Sequence, residues 1–98
     1  MKILAILRPP DGTDPRDALM KHVRQELNAL WGLYRDGLVR EMYSPVGPGA
    51  ILILEAESVA EANERLAELP LLSNQIMGLE LIEMHPFSAL QMLFNAQK

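Results

Sequence analysis

"LVREMYSPVGPGAILILEA", residues 38–56, decides how this chain folds. Two extended, apolar-rich runs, 38–44 and 50–56, flank "PVGPG" (45–49). A Pro- and Gly-rich connection that short joins its strands as an antiparallel hairpin. Upstream, "KILAILR" (2–8) reads as another strand and "PPDGTDP" (9–15) as a loop broken by Pro9, Pro10, Gly12 and Pro15. Asp14 then offers an N-cap with Pro15 at the first helical position, and the helical pattern runs to about Asp36, where Gly37 stops it. Downstream, "SVAE" (58–61) is a capping box with Ser58 as cap and Glu61 reaching back. It opens a second helix from Val59 to about Leu69 that stops at Pro70. "LLSNQIMG" is a connection, "LELIEMH" (79–85) a fourth strand, and "PFSALQMLF" a short C-terminal helix or arm. The order β-α-β-β-α-β predicts an α+β, ferredoxin-like fold, with helices on one face of an antiparallel sheet.

Such a sheet normally alternates apolar and polar residues, because one face is wet. Here "AILIL" (50–54) is apolar throughout, as is "ILAIL" (3–7). Helices cover only one face, so the other needs its own cover. A second copy is the economical one, and two sheets face to face make a dimeric α+β barrel. The expectation is one ferredoxin-like domain over 1–98, with 85–98 as a C-terminal arm packing on a neighbouring subunit.

The bulk composition narrows the function classes. The chain has 98 residues, 49% of them hydrophobic, and a formal net charge of −4 with the charges well mixed. That argues against a nucleic-acid partner, which calls for a basic patch. No run is long and apolar enough to span a membrane. "MKILAIL" leads straight into "RPPDGTDP" without a small-residue cleavage site, so it does not read as a signal peptide. Cysteine is absent, which removes disulfides and thiolate metal sites and makes a cytoplasmic address the expectation.

One helical residue stands out. At about 100° per residue, Glu26 projects between Leu33 and Leu19, inside the apolar arc that also carries Val23, Leu27, Leu30, Trp31 and Tyr34. A carboxylate there is costly to desolvate, so its pKa rises and it becomes a better base near neutral pH. The alternative is that it reaches water at the edge of the arc or pairs with Arg40. His22, one turn earlier on the same side, either orients that carboxylate or forms a surface pair with it. On strand alternation Leu38, Arg40 and Met42 share a face, with Val39, Glu41 and Tyr43 on the other. Arg40 therefore calls for an anion: Glu26, a partner's carboxylate or a substrate. Trp31 and Tyr34 read as core residues whose polar tips line a pocket, and Tyr43 joins them as a candidate substrate contact. His85 ends the fourth strand before Pro86. Without clustered ligands beside it, it points to no metal.

Several short motifs together resemble muconolactone delta-isomerase, within the dimeric α+β barrel superfamily. They are Glu26-Leu27 on the first helix, "RDGLVREMY" (35–43), "SV" (58–59), "LPL" (69–71) and "HP" (85–86), with the spacing of "LPLLSNQIMGLELIEMHP" (69–86) kept. The resemblance covers nearly the whole chain. It implies a cofactor-free, metal-free isomerase of aromatic-compound catabolism that takes a proton from beside a carbonyl and returns it further along the conjugated system. It aligns the family's helix-one carboxylate with Glu26 and its strand-two arginine with Arg40; the expected catalytic residues are then Glu26, with His22 as its orienting partner. Arg40, Trp31, Tyr34, Tyr43 and His85 would contact a small-molecule substrate, an unsaturated lactone or acid, in homodimers that build larger rings. The family's helix-one Lys falls on Val23 here, which leaves His22 as the candidate to stand in for it. Two other readings share the fold. One is a cofactor-free monooxygenase or haem-degrading protein, with His85 or His22 as haem ligand. The other is a non-catalytic ligand-binding or assembly module in which Arg40 ties up Glu26.

Overall fold

The computed structural model describes residues 1–95. Strands β1 (Lys2–Arg8), β2 (Val39–Tyr43), β3 (Ala50–Glu55) and β4 (Gly78–Met84) form one antiparallel sheet in the order β2-β3-β1-β4. With α1 (Arg16–Arg35) and α2 (Val59–Leu66), this is the expected ferredoxin-like α+β arrangement. Register sorts the two faces. Ile3, Ala5 and Leu7 of β1 stand level with Leu54, Leu52 and Ala50 of β3, and Ile3, Ala5, Leu7, Leu52 and Leu54 are buried under the helices. Leu4, Ile6, Ile51, Ile53 and Ile82 point the other way, and none of these five is fully buried. That uncovered apolar face is the one the hydropathy of "ILAIL" and "AILIL" predicts.

Four local readings need correction. The helix start lies one residue later than expected: Pro15 holds the cap position of α1, although the Asp14 carboxylate still accepts the Arg16 amide at 3.1 Å. The second helix ends at Leu66 rather than Leu69, because the residue before a proline is driven out of the helical region; Leu69 sits at φ −60°, ψ 131°. Pro70 then begins a helical turn of its own, α3 (Pro70–Ser73), where the sequence reading had only a connection. In β2, a bulge at Arg40 breaks the alternation. Val39 and Met42 both pair with core positions, Leu54 and Leu52, so Arg40 does not share Met42's face.

A further correction concerns the buried face of α1. Ala29, Leu30 and Leu33 pack on the core and Glu26 is buried, while Val23, Leu27, Trp31 and Tyr34 of the same apolar arc turn outward, with Leu27 59% and Trp31 60% exposed. The helix ends as the Gly37 signal predicts. Leu38 N–H bonds to the Leu33 carbonyl and Gly37 N–H to that of Tyr34, with Gly37 at φ +90°, a Schellman closure that needs a left-handed residue. At the other end of α2, Ser58 Oγ accepts the Glu61 amide at 3.0 Å. Glu61 reaches back to the Glu57 amide, one residue beyond the cap.

After β4, a 3-10 turn (Ser88–Gln91) and α4 (Met92–Asn95) leave Phe87, Leu90, Met92, Leu93 and Phe94 exposed. The last part of the expected 85–98 arm, residues 96–98, lies outside the described residues.

Candidate active site

Glu26 is 5% exposed, the one buried charged residue among those described. The reason lies in α3. Every helix begins with amides that have no partner within it. Pro70 has no N–H, and the amides of Leu72 and Ser73 bond to the Leu69 carbonyl. The Leu71 amide is left over, and Glu26 Oε1 accepts it at 2.9 Å. The carboxylate on the apolar face of α1 thus ties that helix to the segment after α2, 45 residues away in sequence.

The second carboxylate oxygen has a different setting. It accepts no protein hydrogen bond among the described residues, yet no side-chain oxygen there is both sealed and unpartnered. Oε2 therefore faces open space. That space is a cavity of about 400 Å³ between α1, α3 and the hairpin end of the sheet. Leu7, Leu19, Leu27, Leu30, Met42 and Met77 form much of its wall, and the exposed Tyr43 and Ser44 border it at the hairpin end. Burial pushes the Glu26 carboxyl above its ordinary value; the Leu71 amide and the field of His22 pull it back in part. A carboxylate with one oxygen pinned and the other open on an apolar cavity, its pKa raised by burial, is equipped to take up and return a proton.

The other sequence-predicted residues separate into groups. His22 acts on Glu26 through its charge but does not line the cavity. Tyr43 borders it at the hairpin, but it stands level with Ile51 on the uncovered face of the sheet, and its hydroxyl donates to Glu41 at 2.5 Å, which with the charge of Glu41 raises the phenol's pKa. Arg40 does not pair with Glu26. Its Nε–H donates to the Gly37 carbonyl at 2.7 Å, and it borders a separate surface depression with Trp31 and Tyr34. Those two rings lie 5.9 Å apart and tilted, on the exposed side of α1 rather than in the core. His85 follows Met84, which pairs with Lys2, whereas the cavity sits by Leu7, at the opposite end of β1. It bonds there to Glu83 at 2.5 Å. No cluster of three or more metal-ligating side chains occurs among the described residues. Nor is any helix there long and apolar enough to cross a membrane. The functional partner that the sequence reading missed is a backbone group, the Leu71 amide. Its signal was Pro70, which opens a helix as readily as it ends one.

No family model and no curated protein matches the chain. Solved structures do. Muconolactone isomerase superposes with a TM-score of 0.66 at 24% identity, covering 90% of this chain and 94% of its own. The fold is that of muconolactone isomerase. A 5-chloro-2-hydroxyhydroquinone dehydrochlorinase (TftG) from Burkholderia phenoliruptrix AC1100, solved with 2,5-dihydroxybenzoquinone, shares it with a TM-score of 0.66. That likeness comes at 17% identity and covers 87% of this chain and 94% of the dehydrochlorinase. The order and placement of elements that the muconolactone isomerase motifs imply are therefore present in this chain.

Proposed function

We propose that this protein is a cofactor-free proton-shift isomerase of small unsaturated lactones or similar compounds in aromatic catabolism, with Glu26 as the base. The observation that carries the reading is the divided environment of its carboxylate, pinned by Leu71 N–H on one side and open to the cavity on the other. In the reaction Glu26 Oε2 takes a proton from the γ carbon of the lactone. The C–H electron pair delocalises through the C=C bond onto the carbonyl oxygen, giving a dienolate. The same carboxyl then returns the proton to the α carbon, so substrate and product have equal composition and the enzyme ends unchanged. His22 tunes the carboxylate through its charge. Both solved neighbours act on ring compounds by their names, which supports the substrate class.

The proposal includes a homodimer. The face of Leu4, Ile6, Ile51, Ile53 and Ile82 is apolar and uncovered, a surface that a second sheet buries well. The exposed Phe87–Phe94 arm then packs on a neighbouring copy. One observation also favours a non-catalytic reading, since the Glu26–Leu71 bond has a structural use by itself. Deuterium uptake separates the two. The protein is incubated in D2O with 5-methylfuran-2(5H)-one, an uncharged unsaturated lactone, and ring deuteration is followed by NMR. Wild-type exchange above buffer that Glu26→Gln loses supports the isomerase. Equal exchange in wild type, variant and buffer refutes it.

A further inference from the structure

We infer that the Glu26 cavity selects uncharged ligands: small, mostly apolar ring compounds that offer a hydrogen-bond donor or an acidic C–H to Glu26 and carry no carboxylate, sulfonate or phosphate. The inference deepens the isomerase reading and takes from it only that the cavity binds the ligand. It has three supports. First, the wall is mostly hydrocarbon and thioether, with Leu7, Leu27, Leu30, Leu52, Met42 and Met77 on five different elements or their flanks. Such a wall offers an anion nothing in place of water, and an unpaired charge is expensive to bury.

Second, the one ionisable carboxyl in the cavity is itself an acid. A ligand carboxylate entering beside Glu26 would make two like charges share a half-buried apolar site, where only one of them readily ionises. Third, no cation among the described residues lines the cavity: His22, whose charge reaches Glu26, stands outside the wall, and Arg40 is placed elsewhere. Its guanidinium is held by the Gly37 carbonyl, and it borders the depressions at the far end of β2 and on the outer side of α1. A ligand hydroxyl or acidic C–H, by contrast, fits Oε2, an acceptor with no protein donor among the described residues.

The test compares 1-naphthol with 1-naphthoate, two ligands alike in shape that differ in charge at neutral pH. Binding is read from the Met42 and Met77 methyl resonances of the full-length protein, assigned through Met→Leu variants. The expected result is that naphthol shifts both methyls and binds tighter than naphthoate by about tenfold or more. In Glu26→Gln, which removes the resident charge, the gap narrows. In Val23→Lys, which places an ammonium on the half-open wall one turn from Glu26, naphthoate gains about tenfold. Naphthoate binding as tightly as naphthol to the wild type overturns the inference, and so does a failure of both ligands to move the two methyls. Naphthol binding without lactone deuteration would refute the isomerase and leave this selectivity standing. Lactone deuteration with naphthoate preferred would do the reverse.

Discussion

Replacing Glu26 with Ala and with Gln separates what its carboxylate does for the fold from what it does for chemistry. The alanine variant leaves the Leu71 amide without its 2.9 Å acceptor. A buried donor stranded in this way costs about 1–3 kcal/mol. The adjoining cavity admits water to the orphaned amide, and removing a desolvated charge offsets part of the loss. The expected net destabilisation is therefore about 1–2 kcal/mol, the lower part of that range. Glutamine keeps a carbonyl oxygen for Leu71 and should stay within about 1 kcal/mol of wild type. With a urea m-value of about 1–2 kcal/mol/M for a chain this small, Glu26→Ala lowers the unfolding midpoint by about 1 M. The assay is urea unfolding at fixed protein concentration, so that oligomerisation contributes equally throughout, with amide exchange at Leu71 as a local reporter. Equal midpoints for the alanine and glutamine variants would refute the claim that the carboxylate holds α3 through that amide.

Further consequences follow from other parts of the structure. The folded chain holds the Glu26 proton more tightly than the unfolded chain does, because burial raises its pKa. Its contribution to stability is therefore greatest below the ordinary Glu value and declines as pH rises to the raised folded value. Glu26→Gln should abolish that decline in a series of urea midpoints from acid to neutral pH. Ile53→Asp on the uncovered sheet face removes burial of about 1.5–3 kcal/mol from each copy in a dimer and should give monomers in analytical ultracentrifugation; an unchanged sedimentation coefficient would rule that face out as the contact. Gly49 has φ +137°, and an added Cβ would run into the Leu7 carbonyl oxygen. Gly49→Ala should therefore lower the thermal midpoint well below that of Gly47→Ala, whose Cβ meets open space. Truncation after Pro86 removes the exposed Phe87, Leu90, Leu93 and Phe94. It should leave the secondary structure of the body intact by circular dichroism while reducing assembly size in light scattering.

Much of the fold was legible because it rests on signals local in sequence. The Pro- and Gly-rich turn between two apolar strands, the Ser58 cap and the Gly37 stop each fix one element, and their order admits few topologies. The wheel position of Glu26 was legible for the same reason, since helical angle depends only on spacing. What failed depended on contacts that spacing does not encode. A period of two cannot anticipate the extra residue of the Arg40 bulge, so the guanidinium was assigned to the wrong face. A helical wheel gives angles between side chains but not which edge of an apolar arc meets the sheet. Trp31 and Tyr34 therefore looked like core and turned out to be exposed. The acceptor need that draws Glu26 inward belongs to a backbone amide, which has no letter in the sequence.

One carboxyl group, that of Glu26, is tuned upward by burial while it remains open to a cavity. A site-resolved 13C titration of the Glu26 carboxyl, with the Leu71 amide proton as second reporter, tests this directly. The account predicts a midpoint above 4.5, the ordinary Glu value, with the Leu71 amide shifting at the same pH. A midpoint at or below that value, or a Leu71 amide that does not follow it, would contradict the account.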